Sequence, residues 1–158
     1  MFEVLVFIFE NYFANHAQAS KLSVPDGEVM EQELSAAGFE QHDILGAFDW
    51  FEEMKLMSGT PHINYVHTNT ALRAYTPLEL DKIDTESLGF IIFLRQANVI
   101  NDVERDLIID RAMALKQAEI HIEEMRWITM MALWNKGREK DYLFVEDALF
   151  NPRGQTVQ

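Results

Sequence analysis

The chain has 158 residues, 13 of them basic and 26 acidic, for a formal net charge of −13 with histidine neutral. Its 48% hydrophobic content is that of a folded chain of one domain or two small ones, not of a disordered segment. It has no cysteine, which excludes disulfides, thiolate catalysis, Fe–S clusters and Cys-ligated zinc.

The charge is unevenly spread. Residues 1–57 hold 11 acids against only Lys21 and Lys55, and the remaining residues hold 15 acids against 11 bases. The N-terminal third is an acidic pole, which reads either as a solubility surface or as a docking face for a basic protein. The longest basic cluster, Lys136, Arg138 and Lys140, is short for a phosphate backbone, so direct nucleic-acid binding is not expected. The apolar runs 4–9 and 88–94 are too short to cross a bilayer, and Met1-Phe2-Glu3 is no positive leader. The cytoplasm is the expected location, with no membrane partner.

Residues 2–14, FEVLVFIFENYFA, are too apolar for periodicity to decide their structure. Glu3 and Glu10 decide it: seven apart, they share one stripe of a helix but opposite faces of a strand. A short strand is possible at 21–24, followed by Pro25, Asp26 and Gly27. A helix over 27–37 ends at Gly38. The next runs over 41–57, with Ile44, Ala47, Phe48, Phe51 and Met54 on its apolar face. Trp50 lies at the flank of that face, either at the edge of the core or as a contact residue for a partner. Residues 62–76 are rich in β-formers around Thr68-Asn69-Thr70, which predicts two short strands and a turn.

Helical patterns return at 77. A short helix over 77–83 has Thr76 as N-cap and Pro77 at N1. A second starts at Asp84 or Thr85 and runs through 98. A third starts at Asn101, with Glu104 as capping-box partner, and reaches about 115. A fourth, over 122–135, is apolar almost all round and so is central, with Trp127 and Trp134 largely buried. An amphipathic stretch follows over 139–150, and 151–158 read as a loose tail.

The order helix, strand, helix, helix, strand, strand in the first half is that of a winged helix-turn-helix. The expected architecture is mainly α: a degenerate winged-helix-like module, with a short β-hairpin, over residues 1–76, then a helical bundle over 77–150.

Six stretches carry a resemblance: MFEVLVFIFENYF, LSAAGFEQHDILGAFDWFEEM, LRAYTPLELDKID, GFIIFLRQANVIN, ERDLIIDRAMAL and EEMRWITMMALWN. In this order they resemble the bacterial Smg family over about residues 1–150. The resemblance implies a cytoplasmic bacterial protein of a family of unknown function, whose members are often encoded near DNA-processing and topoisomerase genes. It supplies no catalytic residues.

The chemistry available from the residues themselves is sparse. The seven glycines lie too far apart for a phosphate loop. The five histidines form neither Glu-x-x-His nor His-Glu-x-x-His, so no metal and no cofactor is expected. The third helix and its approach carry Glu40, Asp43, Asp49, Glu52 and Glu53 against Lys55, and the wing offers only Arg73. With Trp50, those acids are the candidate docking face. On the helix after Asn101, Glu104 and Arg111 fall on the core side, either snorkelling at its edge or forming a semi-buried ion-pair network. The expected function is a non-enzymatic acidic adaptor or regulator. The alternatives are an accessory factor that touches DNA or RNA directly, and an enzyme.

Overall fold

The computed structural model describes residues 1–14, 26–59 and 73–150. The described chain forms α1 (Phe2–Ile8), which runs on into π-helical Phe9–Ala14, then α2 (Gly27–Ala36), α3 (Gln41–Gly59), α4 (Pro77–Lys82), α5 (Thr85–Gln96), α6 (Asp102–Met113), α7 (Ile122–Asn135) and α8 (Glu139–Phe150). Glu3 and Glu10 are both exposed on the first of these, as their seven-residue spacing requires.

Several boundaries follow from caps that can be read in the residues. Asn101 Oδ1 accepts from the Glu104 N–H at 2.8 Å, and the Glu104 carboxylate accepts from the Asn101 N–H at 2.9 Å. Thr76 and Glu79 make the same reciprocal pair at the start of α4, with Pro77 at its first position. Asp84 Oδ1 accepts from the Ser87 N–H at 2.8 Å and opens α5. Gly38 and Gly137 end α2 and α7 at φ +96° and +69°, where a Cβ would be strained.

The winged-helix-like module is not supported. Among the described residues there is no strand, and the only β contact is an isolated parallel bridge between Ile83 and Ile120. Residues 73–76, expected in the second wing strand, are coil. Their polar groups are committed elsewhere: Thr76 caps α4, and Arg73 reaches Glu79 and Asp106. The rest of the expected hairpin, 60–72, and the possible strand at 21–24 lie outside the described residues, as does the tail 151–158. The coarser expectation, a mainly helical protein, is what the structure has.

Helix α7 lies in the middle, with α3, α5, α6 and α8 packed on it. Its buried residues Met125, Ile128, Thr129, Met131, Ala132 and Leu133 cover most of its circumference. Thr129 keeps its hydroxyl satisfied by donating to the Met125 carbonyl at 2.8 Å. One apolar cluster joins both halves of the chain, holding Leu5, Leu34, Ile44 and Met54 with Ile91, Leu94, Ile108 and Tyr142.

Trp127 and Trp134 are partly buried, packed against this cluster. Both pack edge-on against Phe9, with ring centroids 6.2 Å and 5.7 Å away, and Trp134 also meets Phe13 at 5.3 Å. The outer part of Trp127 is left in an open cleft lined by Ile122, Arg126, Met130 and Glu146. All-round apolar sequence marked the helix as central, but it did not show which sector the neighbouring helices leave open.

Candidate protein-interaction face

Helix α3 presents two opposite faces. Ile44, Ala47, Trp50, Phe51 and Met54 are buried against α1, α2, α6 and α7. On the other side Leu45, Asp49, Glu52 and Leu56 follow one another at i, i+4, i+7 and i+11, a single outward stripe. Leu45 is 47% exposed and Leu56 is 67% exposed. Asp49 and Glu52 are exposed, with no ion pair among the described residues. The helix contributes one base, Lys55.

The six residues expected on a docking face divide into three groups. Glu40, Asp49 and Glu52 are exposed, although Glu40 lies just ahead of the helix beside the His42 ring at 3.2 Å. Asp43 and Glu53 are engaged. Asp43 holds the α-ammonium of Met1 at 3.1 Å, and that hydrogen bond draws its carboxyl below the usual range against the opposing effect of burial. Glu53 pairs with Arg111 at 2.8 Å. Trp50 leaves the face altogether. At 2% exposure it belongs to the core, and its indole N–H donates to the Arg111 carbonyl at 2.9 Å. A tryptophan at the flank of an apolar stripe needs one polar partner to be buried, and α6 supplies it.

Glu104 and Arg111 are both buried, at 2% and 4% exposure, but they do not pair with each other. Arg111 latches α6 to α3. Its guanidinium donates to the Trp50 carbonyl at 3.2 Å, reaches Glu53 at 2.8 Å and Asp110 at 2.6 Å, and lies 5.8 Å from the Trp50 ring centre. With the indole bond, Trp50 and Arg111 exchange hydrogen bonds in both directions. Glu104 instead latches α6 to the α7–α8 connection, where Arg138 binds both its oxygens and donates to the Val99 carbonyl at 2.8 Å. Spacing alone placed both charges on the core side. Their partners on other elements are 34 and 58 positions away in the chain, beyond the reach of any local pattern.

Arg73, the single base expected on the wing, is fully engaged. It forks onto Glu79 at 2.8 and 3.0 Å, binds Asp106 at 2.9 Å, and stacks over Tyr75. With Glu79 and Asp106 it lines a cleft of about 490 Å³ between α3, α4 and α6. Three or more metal-ligating side chains converge nowhere among the described residues. No helix among them is long and apolar enough to cross a membrane.

Fold and face together define a mainly helical protein whose acidic third helix carries exposed leucines at either end of its outward stripe. A family model described as "Protein of unknown function (DUF494)" matches residues 1–158. The chain is 46% identical over 157 residues to the Protein Smg homolog of Methylobacillus flagellatus, covering 99% of each. It is 38% identical to that of Alkalilimnicola ehrlichii, over 96% of this chain and 93% of the other. It is 37% identical to that of Nitrosococcus oceani, over 94% and 92%. No solved structure matches. The chain belongs to the Smg family.

Proposed function

We propose that the protein is a non-enzymatic adaptor that docks a basic protein partner on the outward stripe of α3. The observation carrying this reading is the stripe itself: Leu45 and Leu56 exposed on either side of Asp49 and Glu52, neither of which has a counter-charge among the described residues. Exposed apolar side chains beside unneutralised acids suit a partner helix that brings leucine-sized side chains and Lys or Arg together. The surplus of acids over the N-terminal third, in a chain of net charge −13, steers cations toward this pole and repels phosphate backbones. Arg73 adds nothing to a phosphate contact, because Glu79 and Asp106 occupy it.

The test is affinity capture of the tagged protein from its native cell, with and without nuclease. The adaptor reading expects at least one stoichiometric partner that survives nuclease and elutes as salt rises. Partners that all disappear with nuclease would replace it with a nucleic-acid-bridged role.

A further inference from the structure

The outer face of α8 is apolar and exposed. Phe144 is 79% exposed, more than any other large hydrophobic side chain among them, and Leu143 beside it is 45% exposed. The opposite side of the helix is anchored. Tyr142 is fully buried, its hydroxyl donating to Glu146 at 3.0 Å and lying 3.2 Å from the Arg126 carbonyl, and Glu146 also accepts from Arg126 at 2.9 Å. The side that faces out is therefore fixed. It carries Lys140, Leu143, Phe144 and Asp147, which fall within about 100° of one another at 100° per residue. Lys140 and Asp147 are both exposed and have no ion pair among the described residues.

We propose that this face is the contact of a homodimer, in which α8 packs antiparallel on α8 of a second copy. Charge complementarity under two-fold symmetry supports this contact. Lys140 and Asp147 lie equally far from a point between Leu143 and Phe144, about 5 Å on either side at 1.5 Å rise per residue. A two-fold axis through that point brings Lys140 of each copy level with Asp147 of the other, giving two cross-pairs. The same axis sets Leu143 against its own copy and Phe144 against its own copy. An isologous contact must be self-complementary, and this face is. Within the face itself Lys140 and Asp147 cancel, so two copies meeting there bring no net charge from these four side chains together. One pair of 12-residue helices buries less than the roughly 1,200–2,000 Å² of a standard stable interface, so the dimer is a weak one. The inference is independent of the proposed docking on α3, which lies on a different helix.

Sedimentation velocity over a concentration series tests it. The wild-type chain should show a reversible monomer–dimer equilibrium. Phe144→Asp should be monomeric throughout. Lys140→Asp and Asp147→Lys should each be monomeric alone, because each sets like charges against one another twice. An equimolar mixture of those two variants should dimerise again, since both cross-pairs are then opposite in sign. All three side chains are exposed, so each variant should fold, which circular dichroism checks. A wild-type chain that stays monomeric at every concentration overturns the proposal, whatever else binds α8. So does a dimer that the single variants leave unchanged, or a mixture that remains monomeric.

Discussion

At the scale of single residues, the buried charges hold the helices in place. Glu104 is 2% exposed, and its carboxylate is balanced by Arg138 together with its own helix cap. Removing one partner of a buried pair costs more than the pair contributes, because the other charge is left in low dielectric. Arg138→Ala should therefore lower unfolding stability by about 3 kcal/mol, read from urea titration. A loss under about 1 kcal/mol, typical of an exposed pair, would mean that solvent reaches Glu104.

A second residue-scale link joins the starts of two helices. His121 Nδ1 lies 3.0 Å from Asp84 Oδ2, where the α4–α5 junction is bridged to the segment before α7. Asp84 raises the imidazole pKa, with weaker help from Glu124 and Glu119 and against some burial. Burial pushes the Asp84 carboxyl up, but hydrogen bonds from Ser87 and His121 outweigh it and hold it low. A raised histidine stabilises the fold below its unfolded value of about 6.5, and that contribution is lost as pH rises through the folded value. A lowered aspartate stabilises above about 3.9, and that contribution is lost as pH falls through its folded value. The melting-temperature difference between wild type and His121→Ala should be larger near pH 5 than near pH 9. An equal difference at both pH values would mean that the pair does not titrate as a unit.

At the scale of elements, legibility followed the range of the forces involved. The starts of α4, α5 and α6 were readable because a cap is a local event, settled within three or four residues. The π-helical Phe9–Ala14 was not readable. A π turn costs backbone energy that only tertiary contacts recover, and here they are the aromatic contacts of Phe9 and Phe13 with Trp127, Trp134 and Phe51. The hairpin expectation failed at 73–76 because β-propensity is a weak preference, and capping and ion pairing there outweighed it. The candidate face was half legible. Periodicity placed Asp49 and Glu52 outside and could have flagged Leu45 and Leu56 on the same stripe. The burial of Trp50 depended on α6, distant in sequence. These placements rank two tryptophans differently. Trp50→Ala should cost about 3–5 kcal/mol, as for a core aromatic. Trp127→Ala should cost less than that, because the partly buried ring has less to lose. Equal losses in thermal denaturation would contradict this ranking.

At the scale of the whole molecule, the charge, the stripe on α3 and the locked core support one reading. Glu53 pairs with Arg111 and Asp43 with the α-ammonium of Met1, so neither is a clean probe of the surface. Asp49 and Glu52 are exposed, and reversing them should leave the fold intact, with effects on stability within about 0.5 kcal/mol. The most direct measurement is a quantitative comparison of nuclease-resistant partners captured by the wild-type chain and by Asp49→Lys/Glu52→Lys at matched abundance. The adaptor account predicts that the double variant folds normally and loses at least one partner that wild type retains at low salt. Retention of every partner by the folded double variant would contradict it and leave the outer stripe of α3 as a solvated surface.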